Sequence, residues 1–278
     1  MSIDLHTHSS YSDGTFTPTQ IADLASERGL AVWALTDHDT TAGLAEAAEA
    51  ADAREIELVP GVEFSASLDG GSIHVLAYWP DPGSAEFADE LARLHDERFR
   101  RGERMVEKLQ ALGHPISFDR VREIAEGDNI VRPHIAQALA EAGVVETPAD
   151  AFTADLIADG GLADVPKHAL HPVEAVGLIR RAGGACVLAH PGMWGRQGAV
   201  PDELIEEMAE AGMAGLEVDH PDHDEEARAK YGAVAEALDL VHTGSSDCHG
   251  TRYEPIRLGS ETTTPGAFDE LKRRAGRE

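Results

Sequence analysis

The sequence predicts an α/β protein of alternating strand and helix, interrupted once by an all-helical insertion. Three observations carry that prediction. Short β-rich runs alternate with amphipathic helical stretches. One long stretch, from about residue 84 to residue 170, has no strand signal. Nearly every β-rich run carries a histidine or carboxylate at one end, as expected where the strand ends of a β/α barrel surround one site.

The predicted strands are 3–6, 31–36, 57–64, 73–79, 185–189, 215–219 and 240–243. Thr17-Pro18 opens a helix with proline in its first turn. Thr40 or Thr41 precedes an Ala/Glu-rich helix that reaches Ala53. Within the insertion the periodicity gives helices at about 84–112, 118–126, 132–142 and 148–158. His171-Pro172 opens a helix ending at Gly183-Gly184, Pro201 opens one ending near Gly212, and the last helix is 265–274. Strand–helix alternation predicts a parallel sheet. Residues 1–83 and 171–278 then form the barrel, and 84–170 an insertion placed to act as a substrate cap.

Composition excludes several function classes. The 278 residues are 42% hydrophobic, enough to fill a core, so this is not a disordered acidic chain. No run of about 18 apolar residues is present. The start, MSIDLHTHSS, has no basic or apolar leader, and two cysteines make no disulfide framework, so a cytoplasmic location is expected. With 23 Lys+Arg against 51 Asp+Glu, the net charge of −28 argues against holding duplex nucleic acid on a basic surface. Only four of the basic residues are lysines (Lys108, Lys167, Lys230, Lys272), a bias that suits a halophilic host, or an ordinary acidic enzyme from a GC-rich genome.

His6-Thr7-His8 is the strongest local signal. Residues i and i+2 of an extended chain face one side, about 7 Å apart, so two imidazoles can converge on one ion. Alone, such a pair is equally explained by two solvated histidines. The pattern repeats, however. Asp13 follows in the next loop, and the next runs carry Asp37-His38-Asp39, Glu63, His74, His190, and Glu217 with Asp219-His220. The last gives Asp247-Cys248-His249, where the cysteine faces the other way and packs. Imidazole and carboxylate without thiolate suit Mn, Fe or Zn.

The segments IDLHTHSSYSDGT, ALTDHDT, PGVEFS, IHVLAY, VLAHPG and GSSDCHG, in this order, resemble the PHP (polymerase and histidinol phosphatase) family of metal-dependent phosphoesterases. Arg132-Pro133-His134-Ile135-Ala136 in the insertion is similar to the branch with nucleoside 3′,5′-bisphosphate phosphatases and 5′-to-3′ exoribonucleases. The resemblance implies a distorted (β/α)7 barrel and three divalent ions, manganese favoured. It places His6, His8, Glu63 and Asp247 on the first ion, Asp13, His38 and His249 on the second, and bridging Glu63 with His74 and His190 on the third. Many relatives have histidine where this chain has Asp13.

Three such ions bring +6 and their carboxylates and a hydroxide remove about four, leaving roughly +2 for a phosphate dianion in an acidic chain. A metal-activated hydroxide would attack the phosphorus. Arg132, His134 and Arg196 are expected phosphate contacts, and His220 and His223 the candidates for the general acid. His95, His114, His168, His171 and His242 match no ligand position. The expected activity is hydrolysis of a nucleoside 3′,5′-bisphosphate or trimming of short 5′-phosphorylated RNA. The alternatives are a histidinol phosphatase and a non-catalytic metal-binding PHP module. The oligomeric state is not legible.

Overall fold

The structure is a computed structural model that describes residues 1–125, 127, 129–166, 169–193 and 198–277. Its strands are β1 (Ser2–Asp4), β2 (Leu30–Leu35), β3 (Glu57–Leu68), β4 (Gly71–Tyr78), β5 (Ala185–Leu188), β6 (Gly215–Asp219) and β7 (Val241–Gly244). They form one sheet in sequence order. The helices around them are α1 (Pro18–Glu27), α2 (Leu44–Asp52), α6 (Pro172–Arg181), α7 (Asp202–Glu210), α8 (Glu225–Ala237) and α9 (Pro265–Arg274). Helices α3 (Ala85–Ala111), α4 (Phe118–Ile124) and α5 (Arg132–Glu141) lie between β4 and β5.

The sheet is mostly but not wholly parallel, which corrects the expectation from alternation. β4 runs antiparallel to both β3 and β5. The cause is local: Asp69 and Gly70 join β3 to β4 with φ of 49° and 83°. Two residues of positive φ make a tight hairpin, which leaves no room for a crossover helix. The reversal matters for the site. Because β4 starts at the rim where its neighbours finish, His74 near its beginning meets residues from the other strands' ends.

Among the described residues β1 and β7 form no ladder, so the barrel is open along that seam. Beyond the strands the rim is stitched instead. Thr7 bridges Cys248, and His38 bridges Glu63. The His8 amide donates to the Cys248 carbonyl at 2.9 Å, and the Thr36 amide to the Thr7 carbonyl at 3.0 Å. β1 is thus shorter than predicted, and His6 and His8 stand on its extended exit.

Ile3, Leu5, Val32, Leu76, Tyr78 and Val187 pack with Phe268 of α9 in one apolar cluster. The insertion has its own apolar cluster, including Met105, Leu109, Val121, Ile135, Leu139 and Ile157. The long α3 belongs to both: its Phe87, Leu91 and Leu94 pack on a barrel cluster, and Met105, Val106 and Leu109 on the insertion core. One continuous helix therefore fixes where the insertion sits over the rim. The helix predicted for 148–158 shrinks to a 3-10 turn, Pro148–Ala151. Beyond it the chain doubles back, with the amides of Ile157 and Ala158 bonding the carbonyls of Ala151 and Thr153. A series of turns, not helical spacing, delivers Leu156 and Ile157 to the core. No helix among the described residues is long and apolar enough to cross a membrane.

Candidate metal centre

Extended backbone places the first two ligands. The Thr7 hydroxyl points away, donating to the Ala34 carbonyl at 2.7 Å and accepting from Trp33 Nε1 at 2.7 Å. Its neighbours His6 and His8 therefore face the other side together. The same alternation buries Cys248 in the cluster around α1 and α2 while Asp247 and His249 turn to the centre. His190 and Asp247 take left-handed backbone angles, φ 26° and 47°. Such strain in a non-glycine residue persists where the fold has to aim a side chain.

Glu63 is the hub. Its Oε1 lies 2.9 Å from His74 Nδ1 and 3.1 Å from His190 Nε2. Its Oε2 lies 2.8 Å from His38 Nδ1, 3.2 Å from His8 Nε2 and 3.5 Å from His6 Nε2. Asp247 Oδ1 is 3.3 Å from both His6 Nε2 and His8 Nε2. Asp13 Oδ1 is 3.3 Å from His249 Nε2 and 3.8 Å from His38 Nε2. All nine predicted ligands fall into four overlapping groups whose donor atoms lie within 4.8 Å of one another. The grouping shares residues more widely than the resemblance implies: His8 joins Asp13, His38 and His249, while His74 joins His38 and Glu63, and His190 joins His6 and Glu63.

Hydrogen bonds behind the rings show that this donor set fits cations. His6 Nδ1 lies 3.1 Å from Glu217 Oε1. A carboxylate only accepts, so Nδ1 carries the proton and Nε2 presents its lone pair to the centre. His249 Nδ1 donates to the Asp247 carbonyl at 2.9 Å, freeing its Nε2 in the same way. Ser12 donates its hydroxyl to Asp37 at 2.6 Å and can accept from His8 Nδ1 at 3.4 Å. His6 Nε2 and His8 Nε2 then face each other at 3.1 Å, two lone pairs that need a cation or proton between them. Asp13 Oδ1, Glu63 Oε2 and Asp247 Oδ1 are buried without a hydrogen-bond partner, which is costly unless a cation neutralises them. The sequence placed Glu217 and Asp37 at strand ends but assigned them no role behind the ligating rings. Glu217, fully buried, also accepts from the His190 amide at 2.8 Å. Its signal was a glutamate between Leu216 and Val218 on a strand buried on both faces.

Burial alone would lower the His8 pKa, but the carboxylates of Asp247 and Glu63 outweigh it and push it up to about 10. Burial likewise opposes ionisation of Asp13, Glu63 and Asp247, yet neighbouring imidazoles hold all three well below the usual carboxylate range. Without ions His6, His8 and His190 hold protons against these carboxylates. Bound cations would displace those protons.

The insertion supplies the wall. Arg132 lines a cavity of about 120 Å³ with Ser72, His74, Asp159, His190 and Met193. Its Nη1 donates to Asp159 Oδ1 at 2.5 Å. His134, two residues on, is buried on the other flank, and burial pushes its pKa down to about 4 with Arg252 and Arg98 adding to the fall against Asp13. Asn129 Nδ2 donates to the carbonyls of Tyr11 and His38, at 3.0 and 3.2 Å, tying the insertion to both loops beside the cluster. Arg98 bonds Asp39 and Ser65, and Arg252 bonds the Asp13 carbonyl. These two arginines were missed in the sequence, because nothing local marks them.

The expected general acids prove to be held residues. His220 Nδ1 accepts from the Asp222 amide at 3.1 Å, so Nε2 carries the proton and faces Asp247 Oδ2 at 3.4 Å. His223 donates Nδ1–H to the Val218 carbonyl at 2.9 Å and accepts the Gly192 amide at Nε2 at 3.1 Å. Both nitrogens of His223 are therefore engaged within the protein. Arg196 lies outside the described residues.

Comparison with known proteins decides the family. The PHP domain model matches residues 4–117. A 3′,5′-nucleoside bisphosphate phosphatase of Chromobacterium violaceum is 35% identical over 89% of this chain and 87% of its own length. The chain belongs to the PHP family. Another relative, the 5′-3′ exoribonuclease Rnm of Escherichia coli, is 31% identical over 96% of this chain and 91% of its own. A solved structure of a provisionally assigned metal-dependent phosphoesterase from Bifidobacterium adolescentis matches with a TM-score of 0.91 at 36% identity, covering 98% of this chain and 96% of that one. This PHP protein is a phosphoesterase, a hydrolase, and its His/Asp/Glu cluster fits divalent metal binding.

Proposed function

We propose that this phosphoesterase removes a phosphate from nucleoside 3′,5′-bisphosphates or trims short 5′-phosphorylated RNA. The observation that carries the reading is the joining of two parts. The nine-residue cluster would hold the ions that bind the reacting phosphate, and Arg132 at the start of α5 shares a cavity with His74 and His190 of that cluster. The relatives named for bisphosphate and RNA substrates support the same choice.

His6, His8 and Asp247 would hold one ion, Asp13, His38 and His249 a second, and His74 and His190 a third, with Glu63 between them. Manganese suits this imidazole–carboxylate set. When bound, the ions supply hydroxide at neutral pH and positive charge for the phosphoryl oxygens. The chain does the rest. Arg132 offers its guanidinium to the phosphate from the cavity beside His74 and His190. His134 accepts the Val131 amide at Nδ1, so the neutral ring carries its proton on Nε2 as a hydrogen-bond donor at pH 7. His220 steadies the Asp247 carboxylate, and Glu217 fixes the tautomer of His6.

A histidinol phosphatase would need a carboxylate for the substrate amine. The carboxylate in the cavity, Asp159, is already bonded to Arg132. The test is phosphate release by the manganese-loaded protein from 3′-phosphoadenosine 5′-phosphate, short 5′-phosphorylated RNA and histidinol phosphate. Turnover of either nucleotide substrate well above histidinol phosphate is expected, and the reverse order would overturn the reading.

A further inference from the structure

We propose that Tyr253 and Arg257 form a nucleobase subsite beside the metal centre, so that the preferred ligand carries a base on its ribose phosphate. The inference rests on the phosphoesterase reading and extends it to a part of the substrate that the cluster does not touch.

The first observation is where exposed apolar side chains gather. Among the described residues seven large hydrophobics are exposed, including Tyr11, Phe152, Met193 and Tyr253. Met193 and Tyr253 lie against site residues and Phe152 against Arg132, while the Tyr11 ring leans on the start of α2. Tyr11 lies on the loop between His8 and Asp13, and Met193 lines the Arg132 cavity. The Arg132 guanidinium stands 6.0 Å from the Phe152 ring. Tyr253 has its ring 6.2 Å from that of His249. Single exposed hydrophobics scattered over a surface need no explanation, but a concentration around one mouth marks a binding surface.

The second observation is that Tyr253 is held. Arg257 stacks on its ring with Cζ 3.7 Å from the centroid. Arg257 is itself gripped by Asp222, with Nη1 to Oδ2 at 2.7 Å and Nη2 to Oδ1 at 2.8 Å. The loop after β6 thereby fixes an aromatic plane on the loop after β7. A ring fixed in advance loses little freedom when a ligand stacks on it. Its place fits a nucleotide. The His249 ring next to it has Nε2 3.3 Å from Asp13 Oδ1, so the plane adjoins the cluster through His249. Every base has a π-face, so the subsite accepts any base and discriminates between bases weakly.

The test is calorimetric binding of inorganic phosphate, ribose 5-phosphate and adenosine 5′-monophosphate to the manganese-loaded full chain. Wild type should bind the nucleotide about 10-fold more tightly than ribose 5-phosphate. Tyr253→Ala should erase that difference, and Tyr253→Trp should keep it. Should the alanine variant lose manganese, Tyr253→Leu keeps the bulk and repeats the test. Equal wild-type affinity for the two ribose phosphates would overturn the subsite. So would a variant that weakens all three ligands alike, since that is the signature of a ring that merely supports His249. Failure of wild type to bind phosphate at all would instead contradict the phosphoesterase reading.

Discussion

The rim of the barrel and the wall of the insertion line the same site but are built differently. At the rim, nine side chains converge within a few ångströms, and several rings are fixed from behind: His6 by Glu217, His249 by the Asp247 carbonyl, His8 by Ser12 and Asp37. On the wall, three arginines each pair with an acid from another part of the chain. Arg132 pairs with Asp159, Arg98 with Asp39, and Arg101 with Asp164. These guanidiniums remain partly open to solvent. The rim is organised before anything binds, whereas Arg132 must share Asp159 with the incoming phosphate. Damage to the rim should abolish activity, and damage to the wall should change affinity.

The predictions follow that division. His8→Ala should bring phosphate release to background and lower the manganese content measured by elemental analysis. A variant with full metal and full rate would remove His8 from the centre. Glu217→Ala should cost roughly 10- to 100-fold in metal affinity, because the ring behind it loses its partner. Glu217→Gln keeps an acceptor for His6 Nδ1–H and should lose less. Arg132→Ala should lower kcat/KM by about 10- to 100-fold, as expected for one charge-assisted contact of about 1.5–3 kcal/mol. Most of that loss should fall on KM. Asp159→Ala should raise KM several-fold by letting Arg132 swing, and Asp159→Asn, which keeps the acceptor, should not. A lower KM for Asp159→Ala would mean that the acid only competes with substrate.

Acid and base should separate the two regions as well. The folded His8 pKa of about 10 lies above the unfolded value of 6.5. Its contribution to the metal-free protein is complete below pH 6.5 and is lost as pH rises through 10. Metal binding needs neutral imidazoles, so manganese affinity should rise over the same range. His134 has the opposite sign. Its folded pKa of about 4 lies below 6.5. Its contribution is complete above pH 6.5 and is lost as pH falls towards 4. Hydrogen exchange of the metal-free protein should loosen the rim first in base and the start of α5 first in acid. The same order in both directions would contradict the assignment.

The division also explains what could be read in the sequence. The clustering of the nine residues was legible because they come in local patterns at strand ends, such as His6 with His8 and Asp247 with His249, where alternation puts a pair on one face. The direction of β4 was written in Asp69-Gly70, but strand–helix alternation elsewhere outweighed that short turn. The role of Glu217 was hidden because it depends on the ring it meets, 211 residues away. Arg98 and Arg252 were hidden for the same reason, since they meet Asp39 and Asp13 only after the insertion and the last rim loop fold over the cluster. The turn at Pro148–Ala151 looked helical because its apolar residues fill a core that helices also build.

The central claim is that the nine-residue cluster is a three-ion phosphatase centre. It is tested most directly by titrating manganese into the metal-free protein while following phosphate release from 3′-phosphoadenosine 5′-phosphate. The account predicts three ions bound per chain, with full rate reached only as the third fills. Full rate at one equivalent, or no release with three bound, would contradict it.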